Sequence, residues 1–425
     1  MERKVYQKLL NWKNNGCAKP LVLNGARQVG KTWLLKKLGA EEFKNNVYVS
    51  LDEDTSAQAL FESAGSVEDV AAALSAKQGI EYNPEDTLFI FDEIQTCPKA
   101  ITYLKYFCEA EQHFNVAAAG SLLGLSCQYG SGWPVGKTVT VDVYPLNFRE
   151  FLNAMRKHTY VKFIESENYA LLSGISEELK MLLKTYFIVG GMPEAVSAYV
   201  KGESLSQVRE IQVQILADYE RDFAKHANPA LLQNLFEAWN SIPAHLAQEN
   251  KKFVFGNVRK GARAANFEAA LQWLEHAGII TRCFRAKKPA MPLNSYANLK
   301  CFKVFMLDVG LLGAKAGINE NSIFSQSTLF TEFKGAMTEQ YVCSQLVSQN
   351  IKPYYWSAEN SSGEIDFLVQ NAENIYAIEV KAAENLKSKS LRAFKEKYPD
   401  VIAQRYSMSN YRAQDWMTNV PLYCL

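Results

Sequence analysis

Short apolar runs alternate with helix-periodic segments over the first third of the chain. The runs are Leu21-Val22-Leu23, Val47 to Leu51, Leu88-Phe89-Ile90-Phe91, Val116 to Ala119 and the β-branched stretch Thr138 to Val143. Between them lie Trp33 to Leu38, Ala57 to Ala76 and Lys99 to His113, with apolar positions at helical spacing. Val5, Leu9 and Trp12 mark a leading helix, and Asn83 to Asp86 a turn. Four consecutive apolar residues in Leu88–Phe91 suit a strand buried on both faces of a parallel sheet. The alternation of strand and helix predicts a three-layer α/β core.

Beyond Pro145 the pattern changes. Phe151 to Phe236 is almost wholly helical, interrupted at Gly190-Gly191-Met192-Pro193-Glu194. Ile242 to Ala314 reads as a winged-helix unit: a helix over Phe267–Ala277, a stop at Gly278, and strands over Ile279–Phe284 and Lys300–Asp308. Leu329 to Asn350 predicts a helix and Tyr354–Trp356 a short strand. Glu364–Gln370 and Ile375–Lys381 predict a hairpin across the turn Asn371–Asn374. Val401–Tyr406 and Pro421–Cys424 are late strands. The expected division is 1–150 core, 151–238 helical lid, 239–328 winged helix and 329–425 a C-terminal α/β domain.

Composition changes this picture little. With 425 residues, 48% hydrophobic, 21% charged and a net charge of +1, the chain reads as a multidomain globular protein. No overall field draws it to nucleic acid or membrane, so a nucleic-acid contact needs a local basic patch. Eight scattered cysteines form no Cys-x-x-Cys pair, and the five histidines share no ligand spacing with them. Zinc and a disulfide framework are not expected, and the reading is cytoplasmic. The start lacks an apolar h-region, and no stretch approaches the ~18–20 apolar residues of a membrane span, so no membrane partner is expected.

The chemistry begins where the first strand ends, at Gly25-Ala26-Arg27-Gln28-Val29-Gly30-Lys31-Thr32. Strand, glycine loop and helix in this order make a phosphate cradle. Backbone N–H groups from Gly25 through Arg27, Gln28, Val29 and Gly30 wrap the phosphates, and the helix N-terminus faces them. Lys31 reaches the β- and γ-phosphates, and Thr32 places its hydroxyl on Mg²⁺. Asp92 and Glu93 close the third strand at its carboxyl end, where open α/β sheets bind ligands. Asp92 is expected to hold Mg²⁺ and Glu93 to orient or deprotonate water. Ser121 ends the next strand, either as a γ-phosphate sensor or as an N-cap. The Gly-Gly-x-Pro turn either lies against adenine or only separates helices. Arg209 and Arg221 are candidates for a second phosphate contact or are solvated helix charges.

The C-terminal hairpin carries a second constellation. If Gln370 pairs with Ile375, Asp366 stands opposite Glu379 and Glu364 opposite Lys381, while Ile365, Phe367, Val369, Tyr376, Ile378 and Val380 form the core face. Like charges side by side destabilise a sheet. A divalent cation between them removes that penalty, with Lys381 beside it; otherwise the acids splay apart on a solvated face. Glu339 lies on the apolar stripe of the preceding helix, which is costly unless it is paired or binds metal.

An Asp followed by Glu-x-Lys on the next strand, with a Glu on the preceding helix, resembles the PD-(D/E)xK nuclease fold over about Phe330–Leu425. Lys387-Ser388-Lys389 opens a basic helix where such nucleases touch DNA. Several stretches together resemble the prokaryotic AAA+-like ATP-binding proteins that carry a nuclease-like C-terminal domain of unknown function. They are the P-loop, Phe91-Asp92-Glu93-Ile94-Gln95, Tyr144 to Phe151, Gly190 to Glu194, Phe333 to Ala336 with Glu339, and Glu379-Val380-Lys381. The resemblance implies a P-loop ATPase core with helical lid, winged helix and nuclease-like end. It implies ATP and Mg²⁺ as cofactors, and Glu339, Asp366 and Glu379 as metal ligands beside Lys381. Basic residues such as Lys251, Arg259, Lys260 and Arg285 either make a DNA-facing wing, with DNA as the partner of the winged-helix and C-terminal parts, or form a solvated basic surface of a structural subdomain. A homo-oligomer follows if an arginine acts on a neighbouring subunit's nucleotide; this chain has Gly136-Lys137 where the family has Gly-Arg, and lysine lacks the planar fork. The expected function is an ATPase whose nucleotide state controls a nuclease-like, DNA-directed module; the alternative is a nucleotide-gated binding or assembly protein with an inactive C-terminal domain.

Overall fold

The computed structural model describes residues 1–121, 134–248, 250–261, 263–319, 331–358, 363–382 and 388–425. Cys127, Lys387 and the expected boundary at 328/329 lie outside the described residues. The chain forms two compact units, one of residues 2–144 with 276–278, the other of 145–275 and 279–425 with Met1.

The N-terminal unit is built on a five-stranded sheet. Its strands are β1 (Leu21–Asn24), β2 (Asn45–Ser50), β3 (Thr87–Asp92), β4 (Asn115–Gly120) and β5 (Val139–Asp142). The order is β2-β3-β4-β1-β5, and every pair is parallel. All residues of β3 and β4 are buried, as expected for central strands of a parallel sheet covered on both faces. On one face Phe61, Phe91 and Phe107 interlock, with ring centroids 5.3 Å and 5.8 Å apart. Because all strands run one way, their carboxyl ends share one edge. Asn24, Asp92 and Gly120 therefore deliver the phosphate loop, the paired acids and Ser121 to the same rim.

The helices between Phe148 and Leu246 form as read. They belong to the same compact unit as the C-terminal sheet. Aromatic packing explains this. Phe148 and Tyr186 lie with ring centroids 6.4 Å and 5.8 Å from Tyr341, and the Phe148 N–H donates to Gln345 Oε1 at 2.9 Å. Tyr341 and Gln345 lie on the helix Thr331–Ser348.

The two strands assigned to an independent winged helix go elsewhere. They are β6 (Ile280–Ala286) and β7 (Ala297–Met306). With β8 (Tyr354–Ser357), β9 (Glu364–Gln370), β10 (Ile375–Lys381), β11 (Ile402–Ser407), β12 (Arg412–Ala413) and β13 (Thr418–Pro421) they make one sheet in the order β12-β13-β11-β10-β9-β8-β6-β7. β6 pairs in parallel with β8 through Phe284↔Tyr354 and Arg285↔Tyr355. Extending the sheet satisfies backbone groups of β6 and β8 that a free edge would expose.

The Gly190-Gly191 turn is set by close backbone approach. Gly190 has φ 68° and ψ −164°, a region open only to glycine. A Cβ on Gly190 would sit 2.2 Å from Asp308 Oδ1, and one on Gly191 2.0 Å from the Leu146 carbonyl oxygen. The Gly191 N–H donates to Asp308 Oδ2 at 2.7 Å, and Asp308 Oδ1 caps the helix Val309–Lys315.

Candidate functional site

The phosphate loop is a tight backbone turn. A Cβ on Gly25 would lie 2.3 Å from the Val143 carbonyl oxygen, so glycine is required there. Gln28 and Gly30 take left-handed φ of 65° and 96°, which turns the chain into the helix Lys31–Glu42. Lys31 is buried and its Nζ donates to the carbonyl oxygens of Gly25 (2.9 Å) and Ala26 (2.7 Å). The ammonium is thus held over the loop whose N–H groups make the cradle.

Thr32 Oγ1 donates to Asp92 Oδ2 at 2.7 Å. The residue pair expected to share Mg²⁺ is therefore together, one from each side of the rim. The Tyr48 hydroxyl donates to the same Oδ2 at 2.9 Å. Burial and the negative charge of Asp92 both push the Tyr48 phenol well above its ordinary range, so it remains a donor.

Glu93 follows in a left-handed conformation, φ 49°. A non-glycine residue there is uncommon. The Gln95 amide donates to Glu93 Oε2 at 2.5 Å and to Ser121 Oγ at 3.3 Å. Arg27 Nε donates to Ser121 Oγ at 3.4 Å, and its Nη2 stands 3.9 Å from Glu93 Oε2. Gln95 thus joins Glu93 to Ser121, and Arg27, also expected at the site, reaches both directly.

Tyr48 and Gln95 were not among the expected site residues. Period-two alternation in β2 buries Val47 and Val49 and leaves Tyr48 on the other face with Ser50, which pairs with Asp92. That alternation was the available signal for Tyr48. Gln95 follows the acid pair by two positions, and only the 3₁₀ turn Ile94–Thr96 brings it back onto Glu93.

In the second unit the hairpin register is as expected, with Gln370↔Ile375 through Phe367↔Ile378. The acids beyond that point behave differently. Asp366 Oδ2 accepts from the Val380 N–H at 2.7 Å. Glu364 pairs with Ser357 on β8, beyond the Phe367↔Ile378 end of the β9–β10 register, and its Oε1 lies 2.5 Å from Lys303 Nζ. Lys381 Nζ lies 3.2 Å from Glu379 Oε1, and Glu379 runs beside buried Arg405 on β11. Glu339 is held by two lysines: Lys251 Nζ on Oε1, and Lys303 Nζ at 3.6 Å from Oε2.

Charge explains the titration of this cluster. Burial alone raises the Glu339 carboxyl, but Lys303 and Lys251 outweigh it and hold it below the ordinary range. Asp366 is pushed up to about 7, first by burial and then by the Glu339 charge, against the pull of Lys303, Lys251 and the Val380 N–H. Burial lowers the Lys303 ammonium, but Glu339, Glu364 and Asp366 raise it well above the ordinary lysine range. Glu339, Asp366 and Glu379 were expected to converge on one metal. Among the described residues no group of three or more His, Cys, Asp or Glu side chains is placed to hold a metal ion. Asp366 accepts from the Val380 N–H, whereas Glu379 pairs with Lys381 beside Arg405.

Comparison with known proteins bears on both units. Residues 18–152 match a family described as an AAA domain. Residues 180–322 match a domain of unknown function (DUF8612), and residues 334–425 match another (DUF4143). No curated protein matches the chain. Among solved structures, a Walker-type ATPase of Pyrococcus abyssi is 14% identical, with 74% of this chain and 95% of that chain covered, at a TM-score of 0.44. The ORC1 protein of Aeropyrum pernix, solved in complex with DNA, is 12% identical over 74% and 91%, at 0.27. Cdc6p of Pyrobaculum aerophilum is 9% identical over 75% and 92%, at 0.26. Residues 18–152 are thus similar to AAA domains, and they carry the parallel sheet and glycine loop described above. No helix among the described residues is long and apolar enough to cross a membrane.

Proposed function

We propose that the N-terminal unit binds ATP with Mg²⁺ and hydrolyses it. The observation that carries this reading is the Thr32–Asp92 hydrogen bond, which joins the loop hydroxyl to the strand-end carboxylate at the rim of a parallel sheet. Thr32 and Asp92 are the residues that would hold Mg²⁺, which when bound neutralises charge on the β- and γ-phosphate oxygens. Lys31 leaves the Gly25 and Ala26 carbonyls for the phosphates. Glu93 orients a water in line with the γ-phosphorus and takes its proton as the new P–O bond forms and the bridging bond to ADP breaks. Gln95 and Ser121 hold Glu93 and the water in position, and Arg27 lies on the same network. Lys31→Ala tests the reading. Phosphate release from ATP should fall to background, and undiminished release by that variant refutes it.

The reading extends to the second unit as a nuclease-like, DNA-directed module whose engagement follows nucleotide state. Its support is element order. The helix Thr331–Ser348 is followed by antiparallel β8, β9 and β10, then the basic helix Lys389–Lys397, then β11 parallel to β10. Arg392 on that helix is exposed and pairs with Glu396 at 3.2 Å, a carboxylate that a phosphate backbone would have to displace. Glu339, Asp366 and Glu379 do not fit a shared metal, so no cleavage step is derived. Retention of duplex DNA with ATP but not ADP is the expected result, and equal weak binding in both states removes the DNA part.

A further inference from the structure

Lys303 is fully buried on β7 between Phe302 and Val304, opposite Cys283 of β6. An ammonium in such surroundings is costly unless it is paired and hydrogen-bonded. Its partners all belong to the second unit. Glu364 Oε1 lies at 2.5 Å and Glu339 Oε2 at 3.6 Å, and the Tyr355 ring lies beneath it with its centroid at 5.1 Å. Lys251 occupies the other oxygen of Glu339. Two carboxylates, Glu339 and Glu364, thus meet two ammonium groups, and the central one comes from a strand outside the Asp and Glu-x-Lys hairpin.

We propose that Lys303 is a built-in cation. Its ammonium gathers the acids of this cluster as a divalent ion would in a nuclease-like fold, and it keeps such an ion out. A metal could enter only by driving the ammonium from its carboxylates while its stem stays packed in the sheet, and no water reaches that position to solvate it. The Glu379–Lys381 pair completes the neutralisation on the neighbouring strand. This inference rests on the nuclease-like reading of residues 329–425 but not on the ATPase reading. DNA cleavage tests the former, whereas metal binding tests the lysine itself.

The experiment is Mn²⁺ titration of the full, nucleotide-free chain, followed by paramagnetic resonance of free Mn²⁺ and by calorimetry. Wild type, Lys303→Met, Glu339→Gln and the double variant Lys303→Met/Glu339→Gln are compared. The expected result is no Glu339-dependent Mn²⁺ site in wild type, and a site at least tenfold tighter in Lys303→Met that is lost again in the double variant. Wild-type Mn²⁺ binding that Glu339→Gln abolishes overturns the proposal. So does a folded Lys303→Met variant that binds no better than wild type. If circular dichroism shows that Lys303→Met is unfolded, the comparison of wild type with Glu339→Gln decides alone: equal binding by the two supports the proposal, and weaker binding by Glu339→Gln overturns it.

Discussion

Thr32 and Asp92, 60 positions apart in sequence, meet at 2.7 Å between hydroxyl and carboxylate. Neither residue could bring the other there locally. The contact exists because β1 and β3 run parallel on either side of β4, so that their carboxyl ends open on one rim. Removing the hydroxyl alone should therefore weaken metal use without disturbing the cradle. In Thr32→Val, ATP hydrolysis should fall by about 10²-fold, the scale for one lost polar group at a transition state. The Mg²⁺ concentration for half activity should rise, and a steady-state assay over a Mg²⁺ series checks both.

Glu93 and Gln95 separate chemistry from positioning. Glu93→Gln removes the base and should lower turnover by about 10²–10⁴-fold while a fluorescent ATP analogue still binds. Gln95→Ala leaves the base and removes its tether to Ser121. The expected loss is smaller, with turnover affected more than KM. Equal losses in the two variants would mean that Gln95 does more than hold Glu93.

Tyr48→Phe deletes one hydrogen bond to a charged acceptor, worth about 1.5–3 kcal/mol when intact. Thr32 still satisfies the same oxygen, so the expected loss lies at the lower end of that range, read as a lower denaturant midpoint. ATP or ADP with Mg²⁺ should restore part of the difference if Asp92 takes up the metal.

Asp54 gives a pH test outside the site. It caps the helix Thr55–Ser63 through the Ala57 N–H and pairs with Lys77. Hydrogen bonds from Lys77 and Ser56 lower its carboxyl from 3.8 to about 2. A depressed folded-state value means a stabilisation fully present above about pH 4 and lost as pH falls through about 2. Asp54→Asn keeps a capping oxygen and loses the ion pair. It should cost about 0.5–1 kcal/mol at neutral pH, after solvent screening. The gap from wild type should close in acid, as thermal unfolding from pH 7 to pH 2 would show.

Gly191→Ala places a methyl 2.0 Å from the Leu146 carbonyl oxygen, and a backbone atom cannot swing aside as a side chain can. The Leu146 N–H also donates to the Gly191 carbonyl at 2.7 Å, so relief of the clash breaks a hydrogen bond. The expected destabilisation is about 3 kcal/mol or more, from overpacking with a lost bond, seen as a reduced midpoint in urea.

Much of the nucleotide site was legible because its information is local. The loop Gly25–Thr32 carries its own glycines, lysine and hydroxyl, and Asp92-Glu93 ends an unmistakable apolar run. The hairpin register of β9 and β10 was legible for a similar reason: turn length and period-two alternation leave one pairing that buries Phe367 and Ile378. Tyr48 was less legible because a tyrosine in a strand reads first as packing.

By itself the sequence determined the elements that local chemistry dictates: the parallel α/β pattern, the phosphate loop, the paired acids and the hairpin. Tertiary structure alone decided what those elements meet. Strand pairing between β6 and β8, the joining of the helices to Tyr341, and the arrival of Lys303 and Lys251 at Glu339 all link distant segments. A run such as Phe302-Lys303-Val304 shows that a charge is buried, but not which carboxylates neutralise it. Burial free energy depends on the partner, and the fold, not the neighbouring residues, supplies the partner.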